Sequence, residues 1–229
     1  MLNAMYDVGR EPLGEQAYRA IKQMIISGEL APGEEVPESV LAKRLGISRS
    51  PVRAALTRLR DDGLLVAEAW KVPRVAALDR KYVDNVYQLR KALDTLCAEQ
   101  SIDNVPDSEI ADFQELLKQL DPQVRAGRLE GVREANFKFH SLLITYADNA
   151  LLKTTVARFQ DHLLRVRNAS SRDDDGWLLL EYEFLQKEAE ALATRDSAGL
   201  VSVLRNHLEY FRERIVTTWP EGDRGAQRA

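Results

Sequence analysis

The chain of 229 residues contains one cysteine, Cys97. That excludes an intramolecular disulfide and any zinc site built on several thiolates. No run approaches the ~20 consecutive apolar residues that span a bilayer. The N-terminal stretch MLNAMYDVGREPLGEQ lacks the apolar core of a secretory signal. These absences predict a cytoplasmic protein with no membrane partner. Two local absences are more informative. No glycine lies between Gly63 and Gly127, and no acid lies between Glu38 and Asp61. Enzymatic signatures are also missing: the sequence shows no phosphate-cradling glycine loop, no HExxH helix and no nucleophile–base pair beside its three histidines.

What remains is ordinary for a globular chain, 45% hydrophobic and 30% charged, and its length suits one large domain or two smaller ones. Charge is unevenly spread. Through Leu78 there are 11 Lys and Arg against 10 Asp and Glu, and beyond it 21 against 26. The acidity therefore belongs to the C-terminal part. The acid-free window 43–60 carries Lys43, Arg44, Arg49, Arg53, Arg58 and Arg60, with no acid inside it to neutralise them.

Apolar spacing predicts a helix over 13–27, carrying Ala17, Ala20, Ile21, Met24 and Ile25 inward and ended by Gly28. A second runs from about Glu38 to Leu45 with Val40, Leu41 and Leu45 inward, and Gly46 closes it. A third follows after only GIS or GISRS. Ser48 and Ser50 are both N-cap candidates, and Pro51 is tolerated in a first turn because its missing N–H has no helical partner there. The third helix buries Val52, Ala55, Leu56 and Leu59 and stops at Gly63. Two short helices joined by a glycine-containing turn are the helix-turn-helix arrangement, whose second helix enters the major groove. Arginine suits that place because its fork matches guanine O6 and N7. Helix N–H groups and serine hydroxyls can hold phosphates. After Gly63, LLVAEAW and PRVAAL read as two short strands of a wing.

The stretch PESVLAKRLGISRSPVRAALTRLRDDGLLV, with its core LAKRLGISRSPVRAALTRL and DGLL, resembles the DNA-binding domain of the GntR family of bacterial transcription regulators. The resemblance implies that Arg49 and Arg53 read guanines, with Ser48, Ser50 and Lys43 or Arg44 near the phosphates of a double-stranded operator. It departs from the family pattern at Ala54, where a glutamate is usual, and at AWKVPRV, which lacks the wing-tip glycine that enters the minor groove.

From Asp79 the pattern is helical. Segments are predicted at 79–103 (Val83, Val86, Leu89, Leu93, Leu96 and Cys97 inward), 107–120 closed by Asp121-Pro122, 129–147, 150–167, 177–194 and 197–219, with Ser197 as an N-cap. SSRDDDG at 170–176 reads as a polar loop, and PEGDRGAQRA as a disordered tail. The expected architecture is mainly α: a winged helix-turn-helix domain over 1–78, then an all-α bundle over 79–229 that binds a ligand and dimerises. Asn136 and His140 share a face with Leu143 and Ile144. His207 sits among Leu200, Val203, Leu204, Leu208 and Phe211. Two such histidines and Asn136 either are satisfied core groups or line a pocket. His162 has no such company and reads as structural or exposed.

Residues 80–212, through VYQLRKALD, NFKFHSLL, ADNALL and ATRDSAGLVSVLRNHL, resemble the FCD effector domain of the FadR subgroup. By that resemblance, many such domains hold a divalent metal through one Asp and three His, and a carboxylate effector joins it. Here His140 and His207 match two histidines, while the aspartate position is Asn136 and the last histidine position is Leu185. A zinc or nickel ion on Asn136, His140 and His207 would need waters or the effector to complete its shell. The favoured alternative is direct recognition of a small, acidic metabolite, with Arg90 as its ion-pairing partner and Arg165 and Arg167 as weaker ones. Arg90 can equally pair with Asp94, four residues on. The combined expectation is a ligand-responsive regulator, a repressor working as a homodimer on a pseudo-palindromic operator. The rivals are a helical-bundle enzyme using His140 and His207, and a protein-interaction module with a vestigial helix-turn-helix.

Overall fold

The computed structural model describes residues 11–68, 71–170 and 175–219. The chain divides into two compact units between Asp79 and Arg80. Among the described residues there are nine helices and one two-stranded sheet, and no helix is long and apolar enough to cross a membrane. Ala69 and Trp70 of the wing stretch, residues 171–174 of the polar loop and the tail 220–229 lie outside the described residues.

In the first unit α1 (Leu13–Ser27) buries Ala17, Tyr18, Ile21, Ile25 and Ile26. Its end is set by Gly28 at φ 80, a left-handed conformation that glycine adopts without a Cβ penalty. The next two helices, α2 (Glu38–Leu45) and α3 (Arg49–Asp61), are joined through Gly46 at φ 67. Helix α3 buries Val52, Ala55, Leu56 and Leu59, as its spacing predicts. Val40 does not follow: it is 58% exposed. A helix of two turns against one neighbour has a narrow buried stripe, and Leu41 and Ala42 fill it. Ser48 occupies the N-cap position of α3 but makes no side-chain cap bond, and Ser50 is already helical. Strands β1 (Leu65–Val66) and β2 (Arg74–Val75) pair antiparallel, with Leu65 opposite Val75. The α1–α2 linker adds to β2 through an isolated bridge from Glu35 to Arg74.

Among its described residues the second unit has six helices and no strand: α4 (Arg80–Ser101), α5 (Asp107–Arg125), α6 (Glu130–Tyr146), α7 (Ala150–Ala169), α8 (Asp175–Ala193) and α9 (Ser197–Thr218). Its core gathers Phe113, Phe139, Leu143, Leu185, Leu192, Leu200 and Leu204, among others. Three expectations are corrected here. Helix α5 runs through Pro122 to Arg125, because Val124 continues the buried stripe of Leu120 and Leu117 and outweighs the lost hydrogen bond. The N-cap of α9 is Asp196, not Ser197: its carboxylate accepts from Gly199 N–H at 2.9 Å, and an anion is favoured at that end of the helix dipole. A Cβ at Gly199 would meet that carboxylate at 2.1 Å, so a larger residue there would push the capping side chain aside. Finally, Leu89 and Leu96 are 47% and 37% exposed, because α4 turns Val83, Val86, Tyr87, Asp94, Cys97 and Ala98 inward instead.

Candidate nucleic-acid interface and effector cavity

The turn between α2 and α3 is closed by backbone bonds from Gly46 and Ile47 N–H to the carbonyls that end α2. That places Arg49 as the first residue of α3 and Arg53 one turn on. Lys43, Arg44, Ser48, Arg49, Ser50 and Arg53 are all exposed. The acid-free window is nevertheless not unneutralised in the fold. Glu29 reaches Arg44, Glu15 reaches Arg58, and Asp61 lies beside Arg60. Glu38 grips Arg53 with both oxygens, at 2.8 and 2.9 Å. The Arg53 hydrogen bond holds the Glu38 carboxyl below the usual carboxylate range, with a smaller contribution from the charge of Arg49. Of the six cations only Lys43 and Arg49 make no ion pair among the described residues.

In the second unit, α4, α6, α7, α8 and α9 enclose a cavity of about 170 Å³. Arg90, Asn136, His140 and His207 all line it, on three different helices, and Phe159, Leu163, Trp177 and Phe211 provide apolar walls. Arg90 donates from Nε to Asp94 Oδ2 at 3.2 Å, and its Nη2 lies 3.2 Å from His140 Nε2. A guanidinium only donates, so that ring nitrogen accepts, and the single imidazole proton sits on Nδ1, 3.3 Å from Asp94 Oδ2. His140 is thereby held neutral: burial, and then the charge of Arg90, push it down to about 3. Burial pushes the Asp94 carboxyl up, against the pull of Arg90. Arg90 thus makes the ion pair with Asp94 and also lines the cavity.

His207 Nδ1 meets Glu188 Oε1 at 2.7 Å, and its ring stacks on Phe184 at 4.9 Å. In the neutral ring this leaves Nε2 as an acceptor. Asn136 Nδ2 is buried and has no hydrogen-bond partner. A buried donor on a cavity wall costs free energy that an acceptor on a ligand would recover. Arg167 also lines the cavity, whereas Arg165 does not: it is buried and donates to Tyr82 Oη at 3.1 Å. His162 is half-buried, with Nδ1 2.5 Å from the same hydroxyl.

The sequence reading missed Glu188 and treated Asp94 only as an ion-pair partner of Arg90. Glu188 has a legible signal, since it falls on the stripe Leu185, Ala189, Leu192 and is fully buried. These neighbours bear on the metal. His140 has Arg90 at one nitrogen and Asp94 at the other, His207 Nδ1 is held by Glu188, and Leu185 lies in the apolar core. Among the described residues no three of His, Cys, Asp and Glu are placed to hold a metal ion. The donor set does not fit one.

Comparison with known proteins gives these features a context. The description "FCD domain" matches residues 85–210, and "Bacterial regulatory proteins, gntR family" matches residues 13–71. The HTH-type transcriptional regulator YdhC of Bacillus subtilis (strain 168) is 32% identical over 178 residues, covering 76% of this chain and 80% of YdhC. The chain belongs to the GntR family. It is a DNA-binding transcription regulator with an FCD effector domain, and the enzyme alternative is set aside because its relatives are regulators. The HTH-type transcriptional repressor RspR of Escherichia coli (strain K12) is 25% identical over 90% of both chains. Among solved structures, E. coli McbR/YncC shares the fold with a TM-score of 0.68 at 20% identity, covering 91% of this chain and 99% of that one.

Proposed function

We propose that this GntR-family chain is a cytoplasmic homodimeric repressor: residues 1–78 bind a pseudo-palindromic operator through α3, and residues 79–229 dimerise and release DNA when a small acidic metabolite enters the cavity. The observation that carries the DNA part is Arg49, exposed and without an ion pair in the first turn of α3, where base edges are met. Support for the other parts comes from RspR, which is a repressor, and from Leu89 and Leu96, two turns apart on α4, which offer apolar surface to a second copy. Selection from a random duplex pool tests the DNA part. Arg49→Ala and Arg53→Ala are each expected to lower the preference for the enriched duplex by roughly 10- to 100-fold. Unchanged preference in both variants removes α3 as the reading helix.

The ligand is held directly, by Arg90, Asn136 and His207, and not through zinc or nickel. Arg90 Nη1 and Asn136 Nδ2 supply donors suited to a carboxylate, and His207 Nε2 can accept from a neighbouring hydroxyl or amine. Tag-free protein, dialysed with and without a chelator, is expected to carry far less than one metal per chain. A stoichiometric metal that survives dialysis overturns this assignment, and shows that His140 leaves Arg90 and Asp94 to become a ligand.

A further inference from the structure

Glu38 opens α2, and its carboxylate holds Arg53 of α3 in a two-point fork, Oε1 to Nε and Oε2 to Nη2. The fork consumes two of the five guanidinium N–H groups. Of the remaining three, one on Nη1 and the outer one on Nη2 form the end edge of the group. Two parallel donors on that edge match guanine O6 and N7. A long side chain that binds from solution loses rotamer freedom when it does so, and one already clamped has lost it beforehand. Arg49, one turn earlier, has no such clamp. The two arginines therefore approach DNA differently, one free and one preset.

We propose that Glu38 is a positioning residue for Arg53: it fixes the end edge of the guanidinium in the direction of a base, and so sets what that arginine accepts. The proposal rests on α3 reading DNA as described above. It has an electrostatic consequence. A carboxylate at the protein–DNA surface repels phosphates, so Glu38 lowers affinity for all duplexes while sharpening the choice among them.

The test uses the full chain and the duplex that the unaltered protein enriches from a random pool. Fluorescence anisotropy is measured on that duplex, its single-base variants and an unrelated duplex, for the unaltered protein, E38Q, R53A and E38Q/R53A. Glu38 is half-buried at a helix start, and circular dichroism confirms that each variant is folded. The expected result has three parts. E38Q binds the unrelated duplex as well or better; it loses about fivefold or more of its preference, at the same base pair as R53A; and the double variant loses no more than R53A alone. Tighter binding by E38Q with preference intact at every position shows that Glu38 merely competes with DNA for Arg53, and overturns the proposal. Loss of preference in R53A but not in E38Q removes the role of Glu38 and leaves α3 as the reading helix. Unchanged preference in R53A removes Arg53 as a reader, and the proposal with it.

Discussion

Arg90→Ala is expected to destabilise the C-terminal unit by roughly 3 kcal/mol near pH 8, the order expected when one partner of a buried pair is removed. Arg90 and Asp94 side chains retain only 18% and 9% of their exposure. The surviving carboxylate would stand in low dielectric, with its pKa already pushed up by burial and no longer pulled down by the guanidinium. The sign of the pH dependence follows. A carboxyl whose folded pKa is raised contributes most at low pH and loses that contribution as pH rises through the folded value. The Arg90→Ala variant should therefore be closest to the unaltered protein near pH 5 and furthest from it near pH 8. Adding Asp94→Asn removes the charge while keeping the shape, and should restore much of the loss. Thermal unfolding of the three proteins at both pH values checks this. Equal destabilisation at both pH values, with no rescue by Asp94→Asn, would mean that Arg90 matters through packing alone.

The same residues show how far the sequence carried the reading and where it stopped. The helix-turn-helix was legible because local rules define it: Gly28, Gly46 and Gly63 all take positive φ at helix ends, and the stripe of α3 repeats at helical spacing. The convergence of Asn136, His140 and His207 was legible as polar groups on apolar faces. The ion pairs of the 43–60 window were not, unlike that of Arg90 with Asp94, which i, i+4 spacing offers. Glu15, Glu29 and Glu38 lie outside the 43–60 window: α1 and α2, packed on α3, bring Glu15 to Arg58 and Glu38 to Arg53, and Glu29, just after α1, reaches Arg44 of α2. Pro122 misled for a related reason. Local chemistry favours a stop there, yet the burial of Val124 decides the outcome. The proposal that the ligand is held without a metal rests on neighbours that a ligand-by-ligand mapping ignores. Asn136 and Leu185 counted as losses, but Asp94 and Glu188 decide what His140 and His207 do.

That last point makes His140 the source of the strongest acid sensitivity expected in the effector unit. Arg90 and Asp94 face it from α4, His207 from α9, and the charge of Glu188 acts on it from α8. Its pKa falls from 6.5 to about 3 because burial and Arg90 together oppose a second proton. Once unfolded, the same imidazole protonates below 6.5. A group with a depressed folded pKa contributes stability that is complete above its unfolded value and is lost as pH falls toward the folded one. Between pH 6 and 4 this costs roughly 1 kcal/mol per pH unit. Asp94 acts in the opposite direction in the lower part of that window, since its raised folded pKa favours the native state as acid is added. Comparison with His140→Gln isolates the histidine: the amide can still accept from Arg90 but takes up no proton. Denaturant unfolding from pH 7 to 4 should show the unaltered protein losing stability faster than the variant. Parallel curves would mean that His140 is charged in the folded protein, and that its contact with Asp94 is an ion pair and not a neutral hydrogen bond. In that case the cavity would present a second cation beside Arg90, and a dianionic ligand would suit it better than a monoanion.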